Sequence, residues 1–325
     1  MATRVGIVVL EGFTDSGLGV ALDVLRAGNA LSLRAGKRAP FEVEVLTPRA
    51  DRRVRAASGL ETRVHGTVAR LTRCDVVLVP GCWLEGGEGV AALLARAEAV
   101  KVIAELERAA ERGALIGASC AGTFLLAATG RLDGGVATTT WWLAEAFRAR
   151  FPGVKLDVER TLTAQGRLLC AGTVFAMADL ALSIVSRIAG PALARQCMRV
   201  LLLDRHASQA PYMVLRDMVH DEPVVQAAER WVRKHLAETV RVEHLARAVG
   251  ASPRTLARRL DETLGTTPLG FIQRMRLEAA THLLESSKAS LEEIAARVGY
   301  RDAGTLRRLM RRKLGSRPSE LRHQA

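Results

Sequence analysis

The chain has 325 residues, more than one ordinary domain of about 100 to 200 residues, so two domains are expected. With 49% hydrophobic and 25% charged residues it is no disordered chain, and 47 Lys and Arg against 34 Asp and Glu leave a net charge of +13 that points to a polyanion, nucleic acid or an anionic membrane. The opening MATRVGIVVLEGF holds an apolar run that ends at Glu11, too short for a membrane span and without a cleavage site, so a cytoplasmic protein with no membrane partner is expected. Cys74, Cys82, Cys120, Cys170 and Cys197 lack CxxC spacing, which favours neither disulfides nor a metal site.

In chain order, short apolar or β-branched runs at 5–10, 41–46, 76–79 and 114–117 read as strands, and 18–33 and 90–110 read as helices with apolar residues at three- and four-residue spacing. That alternation predicts an α/β doubly wound parallel sheet. After Trp141 and Trp142 come a helix, strands near 154–158, 161–164 and 168–170, and a closing helix over 174–188. One more apolar helix, 192–203, precedes the polar stretch DRHASQAPYM. The expected organisation is a first domain at 1–205, a linker at 206–220 and a second domain at 221–325.

The second domain carries 20 basic and 13 acidic residues, a net of +7 over 105 positions, against 27 and 21, a net of +6, over the first 220. Such an asymmetry is the footprint of a nucleic-acid-binding module. It also contains a repeat. Ile294, Ala295, Val298 and Gly299 repeat Leu245, Ala246, Val249 and Gly250 at an offset of 49; after one inserted residue, Leu306, Arg308, Met310, Leu314, Gly315 and Pro318 repeat Leu256, Arg258, Leu260, Leu264, Gly265 and Pro268 at 50. In each copy a small Ala permits close helix crossing and a Gly four residues later permits the positive φ of a tight turn, which is the logic of a helix-turn-helix. Ser252-Pro253 supplies an N-cap with Pro at the first helical position, and Ser290 with Glu293 supplies a capping box. The segment TPLGFIQRMRLEAATHLLESS reads as a helix about 30 Å long that sets two recognition helices one DNA turn apart.

These residues resemble the DNA-binding domain of AraC/XylS-type regulators over nearly all of 221–325, with IAARVGY followed by Gly315, Pro318, Leu321 and Arg322 as the closing signature. Leu306, Met310, Leu314 and Leu321 stand where that family often has aromatics. The resemblance implies an all-α tandem helix-turn-helix domain and double-stranded promoter DNA as partner. The candidate DNA-contacting residues are Arg254, Thr255, Ala257 and Arg258 in the first copy and Arg301, Thr305, Arg307, Arg308 and Arg311 in the second. Ala303 and Gly304 open the second recognition helix without side-chain hydrogen bonds for base edges, so Arg307, Arg308 and Arg311 are expected to act largely through phosphates.

GASCAGTFLLAATG places Cys120 between a predicted strand and a helix, a turn that projects a thiol at a helix N-terminus, where the dipole lowers its pKa and backbone N–H groups form an oxyanion hole. With DVVLVPG ahead of it, residues 4–190 resemble the ThiJ/PfpI branch of the class I glutamine amidotransferase-like fold, and LRAGNAL, GASCAGTFLLAATGRLDGG and RHASQAPY extend the resemblance to GlxA-family regulators. Catalytic ThiJ/PfpI members pair the elbow Cys with an acid and a His. Here Gly17, with Asp15 nearby, and Thr140 hold the corresponding positions, and neither can perform acid/base chemistry.

The expectation is therefore a DNA-binding regulator and no enzyme: Cys120 is a degenerate elbow with no catalytic residue. Gly81, Cys82, Cys120, Ala121, Thr140 and Trp141 are candidates for a small-molecule effector site. The resemblance suggests a nitrogen-containing or amino-acid-related metabolite. A homodimer that engages RNA polymerase is expected, with no cofactor and no metal. The alternatives are a cysteine-dependent amidase or deglycase with a basic accessory domain, and a regulator whose first domain only dimerises.

Overall fold

In the computed structural model, which describes residues 1–84, 86–204, 206, 208–213, 222–314 and 317–322, the first elements are β1 (Thr3–Val8), α1 (Asp15–Arg34), β2 (Phe41–Thr47), β3 (Arg53–Arg55), β4 (Glu61–Arg63), β5 (Gly66–Thr67), β6 (Val76–Val79), α2 (Gly86–Ala95) and α3 (Ala97–Glu111). They continue with β7 (Leu115–Ser119), α4 (Gly122–Ala127), β8 (Val136–Ala137), α5 (Ala144–Arg150), β9 (Lys155–Leu156), β10 (Leu162–Gln165), β11 (Leu168–Ala171), α6 (Met177–Ala189) and α7 (Pro191–Val200). Seven strands form one sheet in the order β10-β11-β7-β6-β1-β2-β5. All neighbours in it are parallel except β10 and β11.

A sheet clad on both faces needs strands apolar on both faces, and β6 is VVLV with every residue buried. Val77 and Val79 pack with Val102, Leu106, Phe124 and Phe147 on the side of α3, α4 and α5. Val76 and Leu78 pack with Val24, Leu25, Leu180 and Ile184 on the side of α1 and α6. The period of two thus divides one strand between two cores. The LRAGNAL motif acts here: Asn29 on α1 accepts from the N–H of Phe41 at 2.9 Å and donates to its carbonyl at 2.8 Å, fixing where β2 begins.

Several elements differ from the sequence reading. The first strand is shifted to Thr3–Val8. The helix expected over 90–110 is two, because Arg96 leaves helical geometry at φ −65° and ψ 135° and donates its guanidinium to the carbonyl of Glu11 at 3.1 Å. The strand near 154–158 shrinks to β9, which pairs with β8 outside the main sheet. The hairpin β3–β4 has no counterpart in the sequence reading, because RVR and ETR are too short for their alternation to give a periodic signal.

The chain divides into two compact units, Met1–Ala207 and Ser208–Ala325. The second contains α8 (Pro223–Lys234), α9 (Val242–Ala248), α10 (Pro253–Leu264), α11 (Pro268–Ser286), α12 (Leu291–Arg297), α13 (Ala303–Leu314) and α14 (Pro318–Arg322). Of the stretch expected as a linker, Ala210–Tyr212 form a 3-10 turn packed against α13, and Met213 is buried; residues 214–220 lie outside the described residues, as do Arg205, Ala207 and Gly315. Among the described residues no helix is long and apolar enough to cross a membrane.

Candidate nucleic-acid interface and elbow site

Each repeat builds its recognition helix from the cap inward. Ser252 caps α10, its hydroxyl accepting from Thr255 N–H at 3.0 Å, with Pro253 at the first helical position. Asp302 plays that part for α13, accepting from Thr305 N–H at 2.7 Å. Ser290 and Glu293 form the capping box of α12. The turns between helices place Gly250 at φ 69° and Gly299 at φ 79°, the left-handed region that glycine enters without steric cost. Leu256, Leu260 and Leu264 are buried on α10, as are Leu306, Leu309 and Met310 on α13, so the opposite sides are left to polar groups.

Arg254 and Arg258 are both exposed, one turn apart on α10. Thr255 and Ala257 are half-buried beside them. Arg258 Nη1 lies 3.4 Å from Glu262 Oε1. In α13 the register equivalent is Arg308, whose Nη2 donates to Thr305 Oγ1 at 2.9 Å, while Thr305 donates to Asp302 at 2.8 Å. Arg301 is exposed just ahead of that cap. Arg307 and Arg311 go elsewhere: with Arg317 and Arg322 they line an open pocket of about 410 Å³ floored by Leu284 and Leu291. The three arginines expected to act on phosphates are therefore divided, Arg308 in the place of Arg258 and Arg307 with Arg311 on the flank.

Arg276 on α11 could not be singled out from the sequence. Its guanidinium donates to the carbonyls of Gly299 at 3.1 Å and Glu238 at 2.5 Å and lies 5.4 Å from the centre of the Tyr300 ring. One side chain thereby ties the turn of the second copy to the segment after α8. An arginine inside an amphipathic helix reads as solvated unless the facing carbonyls are known.

In the first unit Cys120 has φ 52°, a left-handed conformation for a residue with a side chain. Its N–H donates to the carbonyl of Gly172 at 2.8 Å, and Thr139 Oγ1 donates to its carbonyl at 2.7 Å. Gly81 passes so close that a Cβ there would come within 2.7 Å of Cys120 Cβ, and one on Gly122 would strike the carbonyl of Val79. The elbow geometry is present, but the expected lowering of the thiol pKa is not. Cys120 is 5% exposed, and burial pushes its thiol up to about 11, outweighing the N–H of Ala121 and the Thr140 hydroxyl, which faces the thiol without a well-formed hydrogen bond. Cys82 is pushed up to about 12, chiefly by burial, with Arg96 opposing and Cys120 adding.

The acid and base positions are filled otherwise. A Cβ on Gly17 would meet Thr14 Oγ1 at 2.6 Å, and Thr14 itself donates to the carbonyl of Gly81 at 3.1 Å. Asp15 is occupied by Ser58, whose hydroxyl donates to it at 2.7 Å. His65 accepts from Val45 N–H at 3.0 Å at the sheet edge. Trp141 stands edge-on to Trp142 at 4.8 Å, and Trp142 lies 6.3 Å from Trp83; the Trp141 indole N–H is buried without a partner among the described residues. No three His, Cys, Asp or Glu side chains converge as a metal site among the described residues.

Comparison with known proteins agrees with this division. The DJ-1/PfpI family matches residues 3–187, and a helix-turn-helix domain family matches residues 245–324. The HTH-type transcriptional regulator GlxA of Rhizobium meliloti is 28% identical over 339 aligned residues, 99% of this chain and 96% of its own length. The HTH-type transcriptional regulator GbdR of Pseudomonas aeruginosa is 26% identical over 91% of this chain and 77% of its own. Among solved structures, that of an AraC family transcriptional regulator from Pseudomonas putida superposes with a TM-score of 0.52 at 24% identity, over 61% of this chain and 99% of that one, a likeness of fold. The chain belongs to the DJ-1/PfpI family, with an AraC-type helix-turn-helix region following the family's flavodoxin-like domain.

Proposed function

We propose that this chain is a transcriptional regulator that binds promoter DNA through α10 and α13, and that its DJ-1/PfpI domain serves sensing or dimerisation rather than hydrolysis. The observation that carries the reading is the pair of N-capped helices bearing Arg258 and Arg308 at equivalent positions, each opposite a buried leucine. Arg254, Thr255, Ala257 and Arg258 are assigned to the groove, with Arg301, Thr305 and Arg308 in the second copy. Arg307 and Arg311 are assigned to phosphates, because a flank of guanidinium groups neutralises charge without reading base edges. RNA polymerase is the further partner such a regulator requires, and a homodimer is its proposed state.

Against hydrolysis stand the neutral Cys120 thiol and Thr14, which fills the space that an acid at position 17 needs. Gly81, Cys82, Cys120, Ala121, Thr140 and Trp141 are retained as the proposed effector site, where the indole N–H of Trp141, without a partner among the described residues, offers a donor. Binding of the full chain to duplex DNA across a salt series is the test. Several arginines on phosphates predict affinity falling steeply with salt. Absent or salt-insensitive binding overturns the reading. Turnover of amide or glyoxal substrates that Cys120→Ser abolishes would establish the amidase or deglycase instead.

A further inference from the structure

The two recognition helices end with opposite charge. Where α13 carries Arg311, Arg312 and Lys313, the equivalent positions of α10 are Asp261, Glu262 and Thr263. Carboxylates in the last turn oppose the helix macrodipole, so the stability of α10 gives no reason for them. Glu262 has other company. Its Oε1 lies 3.4 Å from Arg258 Nη1 and its Oε2 lies 3.5 Å from Arg259 Nη1, while Arg259 Nε lies 3.4 Å from Glu222 Oε1. Glu222 is itself anchored as the N-cap of α8, its Oε2 accepting from Val225 N–H at 2.8 Å. Charges of alternating sign thus run Glu222, Arg259, Glu262, Arg258. The members are 17%, 41%, 50% and 56% exposed, so each pair contributes little to stability. What the row restricts is where the last guanidinium sits.

We propose that Glu262, backed by Arg259 and Glu222, is a specificity-determining positioning residue for Arg258: it withholds the guanidinium from phosphates until a guanine edge competes for it, and its own charge keeps the end of α10 off unmatched DNA. This rests on α10 being a DNA-reading helix. Guanine O6 and N7 accept two parallel hydrogen bonds from one arginine, which replace a single long contact to Glu262. A passing phosphate gives no such geometric surplus and meets the Glu262 carboxylate as a like charge. Removing that charge therefore favours background binding more than binding at the site.

The experiment uses the full chain, a duplex obtained by binding-site selection with the wild-type protein, a scrambled duplex and a salt series. Glu262→Gln keeps the shape and removes the charge. Its affinity for scrambled duplex is expected to rise about three- to tenfold with a salt slope steeper by about one unit, while affinity for the selected site stays within about twofold. Glu285→Gln, exposed on α11, makes the same change of net charge elsewhere and is expected to leave the ratio of the two affinities unchanged. Glu222→Gln is expected to shift the ratio in the same direction by a smaller factor. Combining it with Glu262→Gln should add nothing, because both act through one guanidinium. Equal ratios in Glu262→Gln and Glu285→Gln, or multiplied effects in the double variant, overturn the inference. A wild-type chain with no preference for any duplex removes the DNA-reading function and this inference together, whereas a preference that Glu262→Gln leaves intact removes the inference alone.

Discussion

Replacing Arg276 by Met tests what ties the turn of the second helix-turn-helix to the segment after α8. Met matches most of the aliphatic stem but gives up the donors to Gly299 and Glu238 and the cation over Tyr300. Hydrogen bonds from a charged donor are worth about 1.5 to 3 kcal/mol each, and the cation–π contact about 0.5 to 1. Arg276 is half-buried, and burial holds its pKa below the usual guanidinium value, so part of that gain is already offset by desolvation. A net loss of about 2 to 3 kcal/mol follows. For a unit of this size that lowers the melting temperature of its transition by about 10 °C. Calorimetry on the full chain reads it, since the first unit's transition serves as an internal control that should not move. Arg276→Lys keeps the charge but cannot reach two carbonyls in one plane, and is expected to recover less than half of the loss. A shift below about 2 °C for Arg276→Met would refute the claim that this side chain holds the turn.

Arg258→Ala is expected to cost about 1 to 3 kcal/mol on the selected site and to relax base preference in one half, whereas Arg311→Ala should weaken selected and scrambled duplex alike and reduce the salt slope by about one unit; binding-site selection with both variants separates them. Gly17→Glu, which restores an acid at the elbow, should lower thermal stability without creating hydrolytic activity, because its Cβ meets Thr14 Oγ1 at 2.6 Å. With a thiol pKa near 11, Cys120 should alkylate slowly at pH 8, where about one thiol in a thousand is ionised, and the rate should rise about tenfold per pH unit. Because the folded-state pKa lies above the unfolded value, the folded chain retains protons that the unfolded chain has lost. Stability should fall as pH rises from about 9 to 11, which denaturant melts at stepped pH will show.

The sheet was legible because its central strands are apolar on both faces, and the helix-turn-helix pair because an insertion of one residue leaves the 49- and 50-residue offsets intact. Cys120 was legible as an elbow from its small neighbours, yet its chemistry was not. Only tertiary structure reveals that burial outweighs the nearby N–H and hydroxyl groups. The break at Arg96 was invisible for a similar reason: apolar spacing continues through it, and the cause is the carbonyl of Glu11, 85 positions away. On α13 the sequence offered Arg307, Arg308 and Arg311 alike, and only the packing of α14 beside it reveals that Arg307 and Arg311 line a flank pocket.

The two copies follow one another in the chain, and they are not equal: α10 ends acidic and α13 ends basic. Two readers of that kind cannot exchange places. Each chain of the proposed homodimer, laid along a duplex, therefore has a front and a back, and the half-site it covers has a direction. Inverting one half-site would turn the chain that covers it end for end along the duplex.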